Sequence, residues 1–166
     1  SGKGAVITQM IVDAYSVRNY ERGSKSGHDQ VFDTFGRFIP GTLGREGEML
    51  REATNRRGAE NTVYLELLQS WGMDKARAIA AAEPGAFRAD RPASDWATHP
   101  ALQKIVADTR VELDRIEKRW RELSHCGQAN AEPGCGVALR YLAQVIRTIP
   151  PEQVNAQIAL AFLLVK

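Results

Sequence analysis

Apolar residues recur along this chain at intervals of three and four in eight separate stretches. That is the spacing of helices that bury one face. The first stretch, Ala5 to Glu21, places Val6, Ile7, Met10, Ile11, Ala14 and Val17 on one side, and the polar loop Gly23 to Gly27 ends it. The second, Asp29 to Phe38, carries Val31, Phe32, Phe35 and Phe38, with Ile39 next in the pattern. Ser26 or Asp29 is its candidate cap, and Pro40-Gly41 is its stop. The third, Arg45 to Arg57, turns Met49, Leu50 and Ala53 inward, with Gly58 just past its end. The fourth, Thr62 to Trp71, follows Asn61 as candidate cap, and Gly72 separates it from the fifth, Lys75 to Ala82.

The sixth stretch, Pro100 to Ser124, is the clearest. Leu102, Val106, Thr109, Leu113, Ile116, Trp120 and Leu123 alternate by four and three residues, a coiled-coil-like seam. It predicts burial of Leu113, Ile116 and Trp120. The seventh, Val137 to Ile149, and the eighth, Glu152 to Val165, are divided by Pro150-Pro151. The eighth is apolar nearly all round at its end, which predicts full burial. No strand pattern competes with these readings. The predicted fold class is therefore all-α: an irregular helical bundle of about seven or eight helices, with one long helix at about 100–124 as its spine.

A chain of 166 residues is long enough to bury a core as one helical domain, residues 1–166. Residues 84–99 form its longest irregular stretch and are the candidate hinge between an N-terminal and a C-terminal helical half. The start at Ser1-Gly-Lys-Gly and the apolar end at Ile158–Val165 fit a piece cut from a longer chain.

Charge narrows the function classes. The net charge is +2, from 22 basic and 20 acidic residues, and the whole excess lies in residues 1–58. Phosphate-driven nucleic-acid binding usually shows a larger or more clustered excess, so nucleic acid is disfavoured as a partner. The longest apolar run, Ile158 to Val165, has eight residues, short of the roughly 18 that a membrane span needs.

The chain has two cysteines, Cys126 and Cys135, around one polar turn between two apolar stretches. A structural disulfide clipping that turn is the favoured reading. Zinc needs four ligands, and His125, Cys126 and Cys135 give at most three, so no metal site and no cofactor is expected. A disulfide would place the protein outside the reducing cytosol, in a periplasm or secreted.

Catalytic candidates are weak. His28 lies beside Asp29, a pairing that can orient an imidazole for general-base work. Glu46 and Glu48 are two carboxylates near a loop–helix junction, where glycoside hydrolysis could use such a pair. Residues two apart on a helix point in different directions, however, and acids in a first turn favour the helix N-terminus on their own account. Nucleophile-elbow, phosphate-loop and dinucleotide glycine patterns are absent. The fourth and fifth stretches outline a helix-turn-helix, but Lys75 and Arg77 alone offer base-reading side chains, so an ordinary αα-hairpin is favoured. Phe32, Phe35 and Phe38 read as core.

These observations favour a helical protein–protein interaction module: an adaptor, an inhibitor or immunity-type protein, or a domain of an assembly. Its partner would be a protein or larger complex, with the oligomeric state open. A bacterial effector-type hydrolase or transferase is the first alternative. A nucleic-acid-binding helical domain, resting on Arg56-Arg57 and the hairpin, is the second.

Overall fold

The computed structural model describes residues 2–18, 20 and 25–164, without the Phe38 side chain. Among them are seven α-helices, two 3-10 turns and a two-stranded parallel sheet. The chain divides into two compact units, residues 1–49 and 50–166.

Residues 1–49 hold α1 (Gly2–Ala14), α2 (Gly27–Thr42) and the first turn of α3 (Glu46–Ala59). α1 ends well short of Glu21; residues 21–24, expected partly as helix and partly as loop, lie outside the described residues. Ser26 caps α2 by accepting the Asp29 N–H at 3.0 Å. The expected stop at Pro40-Gly41 does not act: α2 runs through Pro40 to Thr42. Pro40 can donate nothing back to Gly36, so the helix passes that turn one hydrogen bond short. The Arg37 guanidinium donates to the Ala14 carbonyl at 3.0 Å, tying the end of α1 to α2.

Residues 50–166 hold the rest of α3, β1 (Tyr64–Gln69), α4 (Met73–Ala82), α5 (Ala93–Ala97), α6 (Pro100–Leu123), β2 (Ala138–Ala143) and α7 (Pro151–Leu164). The all-α expectation fails at β1 and β2. The fourth and seventh stretches, read as helices, are strands, and with them goes the αα-hairpin of the fourth and fifth. Tyr64 pairs with Ala138, Glu66 with Arg140 and Leu68 with Leu142 on the outer face; Leu65 with Leu139, Leu67 with Tyr141 and Gln69 with Ala143 lie between them. Both sequences carry apolar residues that satisfy a period of 3.6 and a period of two, and short apolar runs do not separate those periods. Contact decides. Leu65, Leu67, Leu139 and Tyr141 alternate onto one packed face, while Leu68 and Leu142 remain exposed.

α6 is the common wall of two cores. Its N-terminal half supplies Leu102, Ile105 and Val106 to a cluster with Ala76, Ala80, Phe87, Ala156, Ala159 and Leu160. Its C-terminal half supplies Ile116 and Trp120 to a cluster with Leu50 and Leu139, against which Trp71 and Tyr141 also pack. Ile116 and Trp120 are buried as predicted, and Leu113 is half-buried. The stretch 84–99 contains a 3-10 turn, Pro84–Phe87, and α5; Phe87 belongs to the first cluster and Trp96 packs against it.

Two glycines set close approaches. Gly72 joins β1 to α4 with φ +77°, and a Cβ there would meet Ile105 Cγ2 and Thr109 Oγ1 at 2.8 Å. Gly58 lies inside α3 instead of past its end, and a Cβ there would stand 2.5 Å from the Pro133 carbonyl. Asn61, expected to start a helix, instead takes a left-handed conformation (φ 61°) just beyond α3.

Candidate functional site

His28 lies in the first turn of α2, fully at the surface. Its Nδ1 is 3.3 Å from Asp29 Oδ1, and its ring lies 4.6 Å from that of Phe32. Glu46 and Glu48 occupy the first turn of α3; Glu46 Oε1 accepts the Gly44 N–H at 3.0 Å, closing the turn before the helix. Ser26 donation and His28 together hold the Asp29 carboxyl below its usual range, the Ser26 bond contributing most.

The two sulfurs of Cys126 and Cys135 lie at disulfide distance, 2.02 Å. Cys126 follows the end of α6, and Cys135 sits in the 3-10 turn Pro133–Gly136. The loop between them is gripped from α3. The Arg51 guanidinium donates to the Glu132 carboxylate through Nε at 2.8 Å and through Nη2, and the Asn55 amide donates to the same group. Asn55 Oδ1 accepts the Gly134 N–H at 2.9 Å. A Cβ on Gly134 would stand 2.5 Å from Asn55 Oδ1, so the fit excludes any side chain. Arg51 first, then Asn55, pull the Glu132 carboxyl from 4.5 to about 2. The sequence gives no hint of this clamp, since Arg51 and Glu132 are 81 residues apart.

A cleft of about 320 Å³ lies beside β2, opposite Leu113 and Glu117 of α6. Burial, and then the Glu117 carboxylate, push the Tyr141 phenol above its ordinary range. No sequence argument reached Glu117 or Tyr141, because the reading that made 137–149 a helix placed Tyr141 on no cleft. Its lining holds Glu117, Tyr141, Arg140 and Gln69 among the apolar residues Leu113, Leu139, Ala143 and Leu164, a mixed surface suited to hydrogen-bonded recognition. Among the described residues, no group of three or more His, Cys, Asp or Glu could hold a metal ion.

The largest departure from a closed surface is on residues 1–49. α1 has thirteen residues and buries none of them. Val6, Ile7 and Met10 are each more than half exposed, at 59%, 58% and 65%. On α2, Phe32 is 61% and Phe35 49% exposed, against the expectation that they fill core; the Phe38 side chain lies outside the described residues. His28, Phe32, Phe35 and Ile39 recur at four, three and four residues, a seam turned outward. Among the described residues no helix is long and apolar enough to cross a membrane.

No protein-family model, curated protein or solved structure matches this chain.

Proposed function

We propose that this chain is a helical protein–protein interaction module whose docking faces are α1 and α2. One observation carries the reading: α1 holds Val6, Ile7, Met10, Ile11 and Val12 and buries nothing. Contiguous exposed apolar surface of this kind marks interaction sites. The outward seam of α2 supports it, since a heptad-spaced stripe fits the groove or helix of a protein partner. The Cys126–Cys135 pair, oxidised, would suit a module working outside the reducing cytosol.

The test is affinity capture from native lysate, with mass spectrometry of what is retained. The baits are the unaltered chain and a double variant, Ile7→Asp with Phe32→Asp. Both sites are exposed, so circular dichroism should be unchanged. A stoichiometric partner held by the first bait and lost by the second is the expected result. Identical retention by both, or no partner on either, would end the reading.

A further inference from the structure

The short loop between Cys126 and Cys135 is held twice, once by its own sulfurs and once by α3. Its backbone closes without the sulfurs. The Cys126 N–H donates to the Arg121 carbonyl at 3.0 Å, the Glu132 N–H to the Ser124 carbonyl at 3.0 Å, and the Cys135 N–H to the Glu132 carbonyl at 3.0 Å. From outside, Arg51 and Asn55, one turn apart on α3, grip the Glu132 carboxylate, and Asn55 Oδ1 takes the Gly134 N–H. Glu132 and Gly134 stand three residues and one residue before Cys135. The grip from α3 therefore fixes the backbone that carries one sulfur, and the end of α6 carries the other.

Two constraints on one short loop are not independent. A grip that holds Cys135 beside Cys126 raises the effective concentration of each thiol at the other. By linkage, closing the S–S bond strengthens that grip by the same factor. The sulfurs are also within reach. Both cysteines are half-buried, and Cys126 lines an open cleft of about 450 Å³ with Lys118, Arg121 and Glu122 of α6. On the other side, Cys135 Sγ lies 3.4 Å from the Ser124 carbonyl, an acceptor for the S–H that reduction would leave there.

We propose that the Cys126–Cys135 pair and the Arg51–Asn55–Glu132 clamp form one redox-linked switch: a dithiol reductant opens the bond and thereby loosens the hold of the loop on α3. A thiolate of the dithiol attacks Cys126 Sγ, forming a mixed disulfide. The electron pair of the broken S–S bond leaves on Cys135, which takes a proton from water. The second thiolate of the dithiol then attacks the reductant's own sulfur in the mixed disulfide. That closes a disulfide within the reductant and releases Cys126, which is protonated in turn. Two electrons pass to the cysteine pair, and the reductant is oxidised by the same two. The chain stays folded, because the backbone bonds of the loop and the core around α6 do not need the sulfurs. This device goes beyond the docking faces of α1 and α2 and does not depend on them.

The test equilibrates the full chain in mixtures of reduced and oxidised glutathione and reads the paired fraction by alkylation and mass spectrometry. Arg51→Gln should lower the equilibrium constant for pairing about tenfold, the scale of one lost charge-assisted bond, with an unchanged circular dichroism spectrum. Arg51→Lys, which keeps the charge and loses the planar fork, should fall between the two. A second measurement needs no variant and stands if Arg51→Gln misfolds. In the unaltered chain, the Gly134 amide, bonded to Asn55, should exchange faster after dithiothreitol treatment than before it.

Four results would overturn the proposal. Equal pairing constants in the unaltered chain and a folded Arg51→Gln would separate the bond from the clamp. A Gly134 amide equally protected in both redox states would do the same. Global unfolding on reduction would make the bond a staple and not a switch. Thiols that pair in none of the glutathione mixtures would leave no bond for the clamp to be linked to.

Discussion

α1 and α7 are close in length, thirteen and fourteen residues, and both are dominated by apolar side chains. α7 buries Ala156, Gln157, Ala159 and Leu160; α1 buries nothing. Composition does not separate them. What separates them is the surface that each one meets. α7 lies against α4, and the small residues Ala76, Ala80, Ala156 and Ala159 form one buried cluster there with Phe87 and Leu102. Small side chains let two helices approach closely, and larger ones close the gaps around them. Even the polar residue of α7 is accommodated. The Gln157 amide accepts the Ile146 N–H at 3.0 Å and donates to the carbonyls of Ile146 and Gln153. A buried amide so satisfied costs little. An apolar helix therefore states a need for cover but not the source of it. For α7 the source is this chain; for α1, in the reading proposed above, it is a partner.

The comparison breaks most easily at Trp120. This side chain is fully buried between α6, α3 and the sheet. Trp120→Ala should cost about 3–5 kcal/mol, through lost transfer energy and the cavity left behind. Urea denaturation measures it directly. An unchanged midpoint would remove the C-terminal half of α6 from the core, and residues 50–166 would then resemble residues 1–49.

The next effect is that of the cysteine pair. Chain entropy for a loop this short gives a stabilisation of about 2–3 kcal/mol, which Cys126→Ser with Cys135→Ser should remove. Thiol titration of unfolded, unreduced protein from its native compartment tests the pairing itself. Two reactive thiols would refute it and take with them the argument for export. Gly134→Ala probes the same loop from the α3 side. Its added Cβ would strike Asn55 and Thr54, and overpacking of this kind costs about 1–3 kcal/mol.

Much of this was legible in the residues. The seam from Leu102 to Trp120 gave α6 within a residue of its limits, since a long stretch with one apolar stripe fits no other element. The residues narrowed the cap of α2 to Ser26 or Asp29, of which the fold uses Ser26, and they marked the short cysteine loop. The strands were not. In Tyr64–Gln69 the inward residues Leu65 and Leu67 sit among outward apolar ones, Tyr64 and Leu68, so both periods fit. Only the pairing with residues more than 70 positions away settles it, and that information is not local. The Glu132 clamp and the Glu117–Tyr141 cleft were hidden for the same reason, because each joins elements distant in sequence.

A smaller effect, and one with a pH signature, comes from Glu132. Its folded carboxyl titrates at about 2, below the ordinary 4.5, because Arg51 and then Asn55 bond its charged form. A depressed carboxyl contributes stability that is fully present above the unfolded value and fades as pH falls toward the folded one. Stability should thus decline between about pH 4.5 and 2 more steeply in the unaltered chain than in Glu132→Gln. Parallel acid-denaturation profiles for the two proteins would show that the clamp does not hold in solution.

The smallest effect expected is none. Met10 is 65% exposed and Ile7 58%, so Ile7→Ser and Met10→Ser remove little buried surface. Surface substitutions away from special features usually fall within about 0.5 kcal/mol. The denaturant midpoint of the chain should therefore stay where it is, while binding of a dye that reports exposed apolar surface should fall. The midpoint holds while dye binding falls only if α1 is uncovered. Were α1 covered by other residues of this chain in solution, Met10→Ser would open a cavity and lower the midpoint by an amount closer to the Trp120→Ala loss. A drop of that size would erase the contrast between α1 and α7 and, with it, the observation on which the proposed docking face rests.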